Sequence, residues 1–196
     1  MKKGLIGCGI ALVVVLVIVA MAVAGSYNRL VKLEEGVKSA WGQVENVYQR
    51  RADLVPNLVE TVKGAAAFER DTFTAVTEAR ARVGQVNIGK VPTGEELQRF
   101  QSAQDGLSSA LSRLLVVVER YPDLKATANF QELQAQLEGT ENRIAVERRR
   151  FNEAAQAFNT ARRTFPTVLV AGILGFSEKP YFQAAPGSDQ APKVQF

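Results

Sequence analysis

The N-terminal part of the chain is continuously apolar. Between Leu5 and Ala24 there is no Asp, Glu, Lys or Arg, and Val and Ile dominate the run. A helix of about twenty residues rises about 30 Å, which matches the hydrocarbon core of a bilayer. The pattern therefore predicts a membrane anchor over residues 1–25, with its span at about 5–24. A cleaved signal peptide is the alternative, because Ala22 and Ala24 resemble a cleavage pair.

Beyond Gly25 the apolar residues recur at alternating spacings of three and four, which is typical of one face of an α-helix. This spacing predicts a first helix that runs to about Arg51 and continues directly from the span. Asp53 is placed to cap a second helix, with Pro56 in its first turn, where a missing N–H costs no hydrogen bond. The second helix is predicted to end at Gly84.

Two further amphipathic helices are predicted in the second half of the chain, each starting with a capping box. The first of them begins at the box formed by Thr93 and Glu96 and ends at Tyr121. The second begins at the box formed by Asn129 and Glu132 and ends before Phe165. No strand-length run alternates with period two. The sequence thus predicts an all-α fold: a transmembrane helix followed by an up-down-up-down four-helix bundle over residues 26–165, with long antiparallel helices of roughly 27 to 36 residues each.

An apolar segment follows the predicted bundle. After four passes the chain returns to the membrane-proximal end, so residues 166–182 are expected there. The uncharged part up to Phe176 contains about ten apolar residues, too few to span a bilayer. Three alternatives stay open: it packs on its own bundle, dips into the lipid interface or docks on a neighbouring subunit. Residues 183–196 are rich in Pro, Gly, Gln and Ala and are expected to form a loose tail.

The residue types needed for most catalysis are missing. The chain contains no histidine, which removes the commonest general base and metal ligand. Its one cysteine, Cys8, falls within the predicted span, where it cannot supply a thiolate or a zinc ligand to the domain. P-loop, GxGxxG and Glu-x-x-His patterns are absent. The sequence therefore predicts a protein that is not an enzyme and that has no cofactor or metal.

Positive and negative charges are nearly balanced. The 24 Lys and Arg and the 20 Asp and Glu are mixed along the predicted helix faces, so no nucleic-acid partner is expected. Lys2 and Lys3 precede the span, whereas the basic residues after it are offset by Glu34 and Glu35. The positive-inside rule therefore favours a cytoplasmic N-terminus, with the bundle on the extracytoplasmic side.

Several charged residues lie where pairing or lipid contact is expected. Glu141 and Arg148 fall on or beside the apolar stripe of the fourth helix, and buried charges need partners, so both are expected to be paired across the bundle. Such pairing serves either a structural network or a ligand site. Near the membrane surface, four basic residues are placed to attract anionic lipid: Arg29, Lys32, Arg162 and Arg163.

Segments spread over nearly the whole chain resemble the LemA family. YNRLV directly follows the span, and RRADLVPNLVETVK, YPDLKA, ENRI and RRFN follow in that order. These segments occupy residues 27–31, 50–63, 121–126, 141–144 and 149–152, and the shorter matches are Ala40-Trp41, Phe165-Pro166, Gly175-Phe176 and Tyr181-Phe182. Phe151 stands where a tyrosine is usual.

The resemblance implies a bacterial envelope protein with an N-terminal membrane helix and a long helical bundle. It supplies no catalytic residues. Four residues of the longest motif fit a shaped turn between helices as well as a binding site: Arg51, Asp53, Pro56 and Asn57.

The leading hypothesis is a scaffold protein, held in the bacterial cytoplasmic membrane by a single pass, that acts through protein–protein contacts. Its expected partners are the lipid bilayer, further copies of itself in a homo-oligomer, and an unidentified protein. Two pairs of small residues in the span, Gly7 with Ala11 and Ala20 with Ala24, allow close helix contact. The alternative is a membrane-tethered sensor or ligand-binding module, with a pocket lined near Glu141 and Arg148.

Overall fold

The computed structural model describes residues 2–64, 69–86 and 89–184, with side chains from residue 9 onward, so the Cys8 side chain lies outside this description. The helices are α1 (Lys2–Lys63), α2 (Arg70–Gln85), α3 (Gly94–Val118), α4 (Pro122–Lys125), α5 (Ala128–Arg163) and α6 (Thr167–Ile173). These ranges contain helices and connecting segments but no strand. The predicted all-α fold is therefore confirmed.

One uninterrupted helix joins the apolar leader to the rest of the protein. α1 has 62 residues and is about 90 Å long at helical rise. Large apolar side chains are exposed from Ile10 to Val23, whereas the buried apolar core starts at Leu30. Among the described residues, α1 is the one helix long and apolar enough to cross a membrane. The predicted continuation of the span into the first helix is confirmed.

The predicted break near Arg51 is wrong, because α1 passes through Pro56 and ends at Lys63. Proline lacks the N–H that would bond the carbonyl four residues earlier, and that carbonyl belongs to Ala52. The Arg80 Nε of α2 donates to the Ala52 carbonyl oxygen at 3.0 Å. The orphaned acceptor is thus satisfied from the neighbouring helix, and α1 continues.

The second helix is shorter than predicted. α2 has 16 residues and starts at Arg70, so the start predicted at Asp53 and the length of a long bundle helix are both wrong. Gly84, the predicted stop, lies inside α2. Ala65 and Ala66, which the periodicity assigned to this helix, lie outside the described residues.

Threonine caps begin the two long helices that follow. At α3 the predicted capping box is confirmed, with the Glu96 N–H bonding Thr93 Oγ1 at 3.4 Å and the Thr93 N–H bonding Glu96 Oε2 at 2.7 Å. The bond from the Thr93 N–H lowers the pKa of Glu96 below its usual value. At α5 the predicted cap Asn129 is wrong, because the Phe130 N–H bonds Thr127 Oγ1 at 3.4 Å.

Two apolar clusters fill the interior, and both contain residues of α1, α3 and α5. The distal cluster lies at the end of α1 away from the span; its members include Val55, Leu58, Val62, Val76, Leu107, Leu114 and Phe130. The proximal cluster surrounds Trp41; its members include Leu30, Tyr48, Phe100, Phe151, Phe158, Ala171 and Phe182. α2 packs against α3 and α1, and α6 packs against α1 and α5.

The segment after α6, residues 176–184, is called the strap here. Gly175 has φ +74° and forms the turn from α6 into the strap, a conformation that glycine adopts without steric cost. Phe182 is buried in the proximal cluster. The strap includes Gln183, the first residue of the predicted loose tail, and residues 185–196 of that tail lie outside the described residues.

Candidate interaction sites

A buried arginine ties three helices together. The Arg51 side chain of α1 is 2% exposed. Its Nη1 donates to Glu141 Oε1 of α5 at 2.7 Å and to Ser108 Oγ of α3 at 2.8 Å. Its Nη2 donates to the Gln104 carbonyl oxygen at 3.3 Å and to Gln104 Oε1. The guanidinium also lies over the Tyr48 ring, 5.1 Å from its centroid.

The electrostatics of this network suit a structural role. An arginine stays protonated at any physiological pH and cannot exchange a proton in catalysis. Glu141 is 44% exposed, so water reaches one side of the ion pair and lowers the cost of burying the charge. Burial raises the pKa of the Tyr48 phenol, which keeps that ring neutral beside the arginine. The predicted pairing of Glu141 across the helices is present.

A cavity of about 250 Å³ adjoins the network. Tyr48 and Gln104, which contact Arg51, line one part of it, and Arg80 of α2 lines another. Within the described ranges, no group of three or more Cys, Asp or Glu side chains is placed to hold a metal ion. The residues around this cavity offer hydrogen bonds, the positive charge of Arg80 and the carboxyl of Glu45, whose pKa is raised by burial.

The strap is held by two asparagines that hydrogen-bond to its backbone. Asn159 Nδ2 donates to the Lys179 carbonyl oxygen at 2.8 Å, and the Lys179 N–H donates to Asn159 Oδ1 at 2.9 Å. Asn152 makes the same pair of bonds with Phe182, at 3.1 and 2.8 Å. The asparagines are two turns apart on α5, and the residues that they hold are three apart on the strap. The two repeats therefore match an extended segment to one face of a helix.

Side chains of the strap add contacts on both sides. The Phe182 ring stacks on Trp41 with centroids 6.2 Å apart. Lys179 Nζ lies 2.6 Å from Glu34 Oε1 of α1. Among the described residues Arg148 has no carboxylate partner of the kind predicted for it. It donates to the Gln183 carbonyl oxygen at 2.9 Å and lies over the Phe182 ring. α1 and α5 thus grip the strap from two directions.

Residues predicted from the sequence as membrane contacts lie near the start of the folded part. Arg29, Lys32 and Arg163 are exposed. Arg162 is half-buried, donates from Nε to the Phe176 carbonyl oxygen at 2.8 Å and pairs with Glu178 at 3.6 Å. Arg162 therefore positions the turn between α6 and the strap and is not a free headgroup contact.

The Phe176 ring and the proline motif have separate surroundings. Phe176 packs against Tyr27 with ring centroids 6.0 Å apart, close to the end of the predicted span. Asp53, Pro56 and Asn57 are exposed. Asp53 Oδ1 accepts a hydrogen bond from Gln49 at 2.8 Å and does not start a helix. These three residues share α1 with Arg51 but do not contribute to its hydrogen-bond network.

Removing both asparagine clamps is expected to release the strap. The double variant Asn152→Ala with Asn159→Ala loses five hydrogen bonds to the strap, four to its backbone and one to the Tyr181 hydroxyl. This loss weakens strap docking by about 2–4 kcal/mol. The chain has one tryptophan, Trp41, and Phe182 covers it, so release exposes a fluorophore. We expect a red-shifted Trp41 emission and stronger quenching by acrylamide. Asn142→Ala, an exposed position on the same helix, is the matched control, and an unchanged spectrum in the double variant would contradict the clamp.

Comparison with known proteins places these features in a family. The LemA family profile matches residues 40–196. Magnetosome protein MamQ 2 of Paramagnetospirillum magneticum is 29% identical over 182 residues, covering 83% of this chain and 66% of that protein. Magnetosome protein MamQ of Magnetospirillum gryphiswaldense is 28% identical over 182 residues, with the same shares of 83% and 66%.

A third relative carries the name of the family. Protein LemA of Metamycoplasma hominis is 26% identical over 161 residues, which cover 82% of this chain and 70% of that protein. The chain spans 66% of the length of the magnetosome relatives. Since the family profile covers far more than half of its residues, this chain belongs to the LemA family.

Proposed function

We propose that this protein is a non-catalytic scaffold, anchored by one pass in the bacterial cytoplasmic membrane, with its helical domain on the extracytoplasmic side. One observation carries the proposal: α1 runs unbroken from an exposed apolar stretch into the buried core. A flexible tether would leave the domain free to tumble, whereas a continuous helix fixes the domain relative to its span. A rigid projection of this kind suits a protein that acts through contacts.

The polar groups of the interior support a structural role. The Nη atoms of Arg51 donate to acceptors on α3 and α5. The side-chain amides of Asn152 and Asn159 on α5 hydrogen-bond to the backbone of the strap. The names of the relatives describe no catalytic activity. We further propose a four-helix bundle in which α1 and α5 form the long pair and α2 and α3 the short one; the contacts within each pair support it.

We propose that the protein self-assembles through its span. Ala20 and Ala24 are exposed small residues one turn apart, so a second span can approach closely along that face. Full-length protein in mild detergent is expected to give particles at a multiple of the 21.4 kDa chain mass, measured by mass photometry. The variant Ala20→Ile with Ala24→Ile is expected to shift them towards monomer.

The matched control for self-assembly keeps the spacing and changes the face. Val19→Ile with Val23→Ile adds methylene groups at the same interval on the neighbouring side of α1 and is expected to leave the particle mass unchanged. A clean monomer of the unmodified chain at micromolar concentration would refute self-assembly. Equal effects of the two double variants would place the contact elsewhere.

A ligand-binding module is the second candidate, favoured by the cavity beside Arg51. The Arg51 Nε is buried and has no hydrogen-bond partner among the described residues. The cavity of about 250 Å³ is below the roughly 300–1,000 Å³ usual for small-molecule sites. Glu141 and Arg148, around which a pocket was predicted, do not line it. Arg148 lines a separate, more open cavity of about 370 Å³ beside the strap, together with Asn152 and Phe182. The cavity next to Arg51 is therefore small for a ligand, which supports the scaffold.

A further inference from the structure

α6 presents large apolar side chains on the side that faces away from the folded domain. Its inner side is small and buried, with Thr167, Val170 and Ala171 packed towards the folded domain. On its outer side Leu169 is 60% exposed and Ile173 is 85% exposed. A helix at the surface of a water-soluble domain carries polar residues on its outer face, and a helix that is apolar all round is covered by protein or lipid.

The exposed part extends beyond the helix itself. Phe165 before α6, Val168 within it and Leu174 after it are also exposed. From Thr164 to Ser177 the chain has no charged residue. This set of side chains, called the outer face of α6 here, is a contiguous stretch of sequence and not a scatter of single exposed residues, which would need no explanation.

The outer face lies beside the predicted span. Ala171 of α6 belongs to the same apolar cluster as Leu30 of α1. Tyr27, which contacts Phe176 just after α6, is three residues beyond the span's last residue, about 5 Å at helical rise. Leu16 within the span is 59% exposed, close to the 60% of Leu169. The two apolar surfaces are therefore neighbours along α1.

Basic residues border this end of the protein. Arg163 is the last residue of α5, immediately before the apolar stretch, and Arg29 lies on α1 just after Tyr27. The two arginines are exposed. Apolar side chains flanked by exposed arginines match the boundary between acyl chains and anionic headgroups.

We propose that the outer face of α6 inserts into the lipid interface of the same bilayer that α1 spans, so that the domain contacts the membrane at two places. The inference rests on the proposed membrane anchorage. The inner side of α6 packs on the domain while its outer side enters the headgroup and acyl-chain boundary. Two contacts fix the tilt of the 62-residue α1, which one span alone leaves free to vary.

Site-specific fluorescence in vesicles tests this inference. In a Cys8→Ser background, the full-length chain carries one new cysteine at Ile173, at Leu16 or at Val116, each labelled with the environment-sensitive dye NBD. All three native side chains are exposed, and Val116 lies near the far end of α3 with 67% exposure. The proteins are reconstituted in vesicles of phosphatidylcholine and phosphatidylglycerol, with or without doxyl-labelled lipid as the quencher.

Labels at Leu16 and Ile173 are expected to lose roughly half of their emission or more, with little loss at Val116. Doxyl groups near the headgroup should quench position 173 more than groups deep in the acyl chain, and position 16 should show the opposite order. Quenching at Leu16 with none at Ile173 beyond the Val116 level would overturn the lipid contact and leave the anchor standing. An unquenched Leu16 would remove both the anchor and the inference.

Discussion

Replacing Arg51 with leucine is expected to lower the free energy of unfolding by about 2–4 kcal/mol. The change removes the donor for Gln104, whose side chain is buried in α3, and for Ser108. A buried amide without a partner keeps its full desolvation cost, whereas the half-exposed Glu141 returns to water at little cost. Chemical denaturation of the full-length protein in detergent, followed by circular dichroism, measures the difference.

A matched exposed arginine provides the control for this prediction. Arg50 is exposed and adjacent on α1, so Arg50→Leu is expected to change stability by no more than about 0.5 kcal/mol. A double variant, Arg51→Leu with Gln104→Leu, measures the cost of the unpaired Gln104 amide, because it removes the donor and the acceptor together. That double variant is expected to recover part of the lost stability. No recovery would show that the loss comes from packing and not from the unpaired Gln104.

The helical character of the chain was predictable because it is a local property. Periodicity identified α1, α3 and α5, and the short-range capping box of Thr93 with Glu96 was found from residue types three apart. The course of the chain around Pro56 was not predictable in this way. Whether a proline breaks a helix depends on what happens to the freed carbonyl, and here the donor is Arg80, 28 residues away. Local rules contain no information about that partner.

The Arg51 network was only partly visible in the sequence. Arg51 and Glu141 stood out through the family resemblance and through the position of Glu141 near an apolar stripe, but their pairing joins residues 90 apart. Gln104 was missed, although a signal existed. It occupies a stripe position of α3 between Phe100 and Leu107, where every neighbour along the stripe is apolar and buried. A polar residue at such a position needs a buried partner.

The clamps of the strap were missed for a related reason. Asn152 and Asn159 are seven residues apart on α5, each next to a buried phenylalanine of the proximal cluster. That spacing indicates two amides on one face of a helix. The sequence of the strap, in contrast, has neither helical periodicity nor strand alternation, because its order comes from side chains of α5 and not from its own backbone. The surface that holds the strap forms only when α1 and α5 have packed together.

Trp41 connects the strap, the long helix pair and the start of α3. Its ring lies 5.4 Å from Phe100, 5.5 Å from Phe151 and 6.2 Å from Phe182, measured between centroids. Glu45 lies one turn after Trp41 on α1, and burial raises the pKa of its carboxyl. The aromatic rings of the proximal cluster therefore pack the strap against α1.

Trp41→Ala is expected to be the most damaging single substitution in the proximal half, lowering the free energy of unfolding by about 3–5 kcal/mol because the cavity it leaves is lined by rings that cannot close it. The same change removes the stacking surface of Phe182, so the strap should detach before the helices unfold. Chymotrypsin cleavage after Phe182 should then become faster at temperatures where circular dichroism still reports a folded domain. Trp41→Phe keeps an aromatic contact and should show a smaller effect in both measurements. If Trp41→Ala unfolds the helices and frees the strap in a single transition, the strap is an integral part of the core and not a separately docked segment.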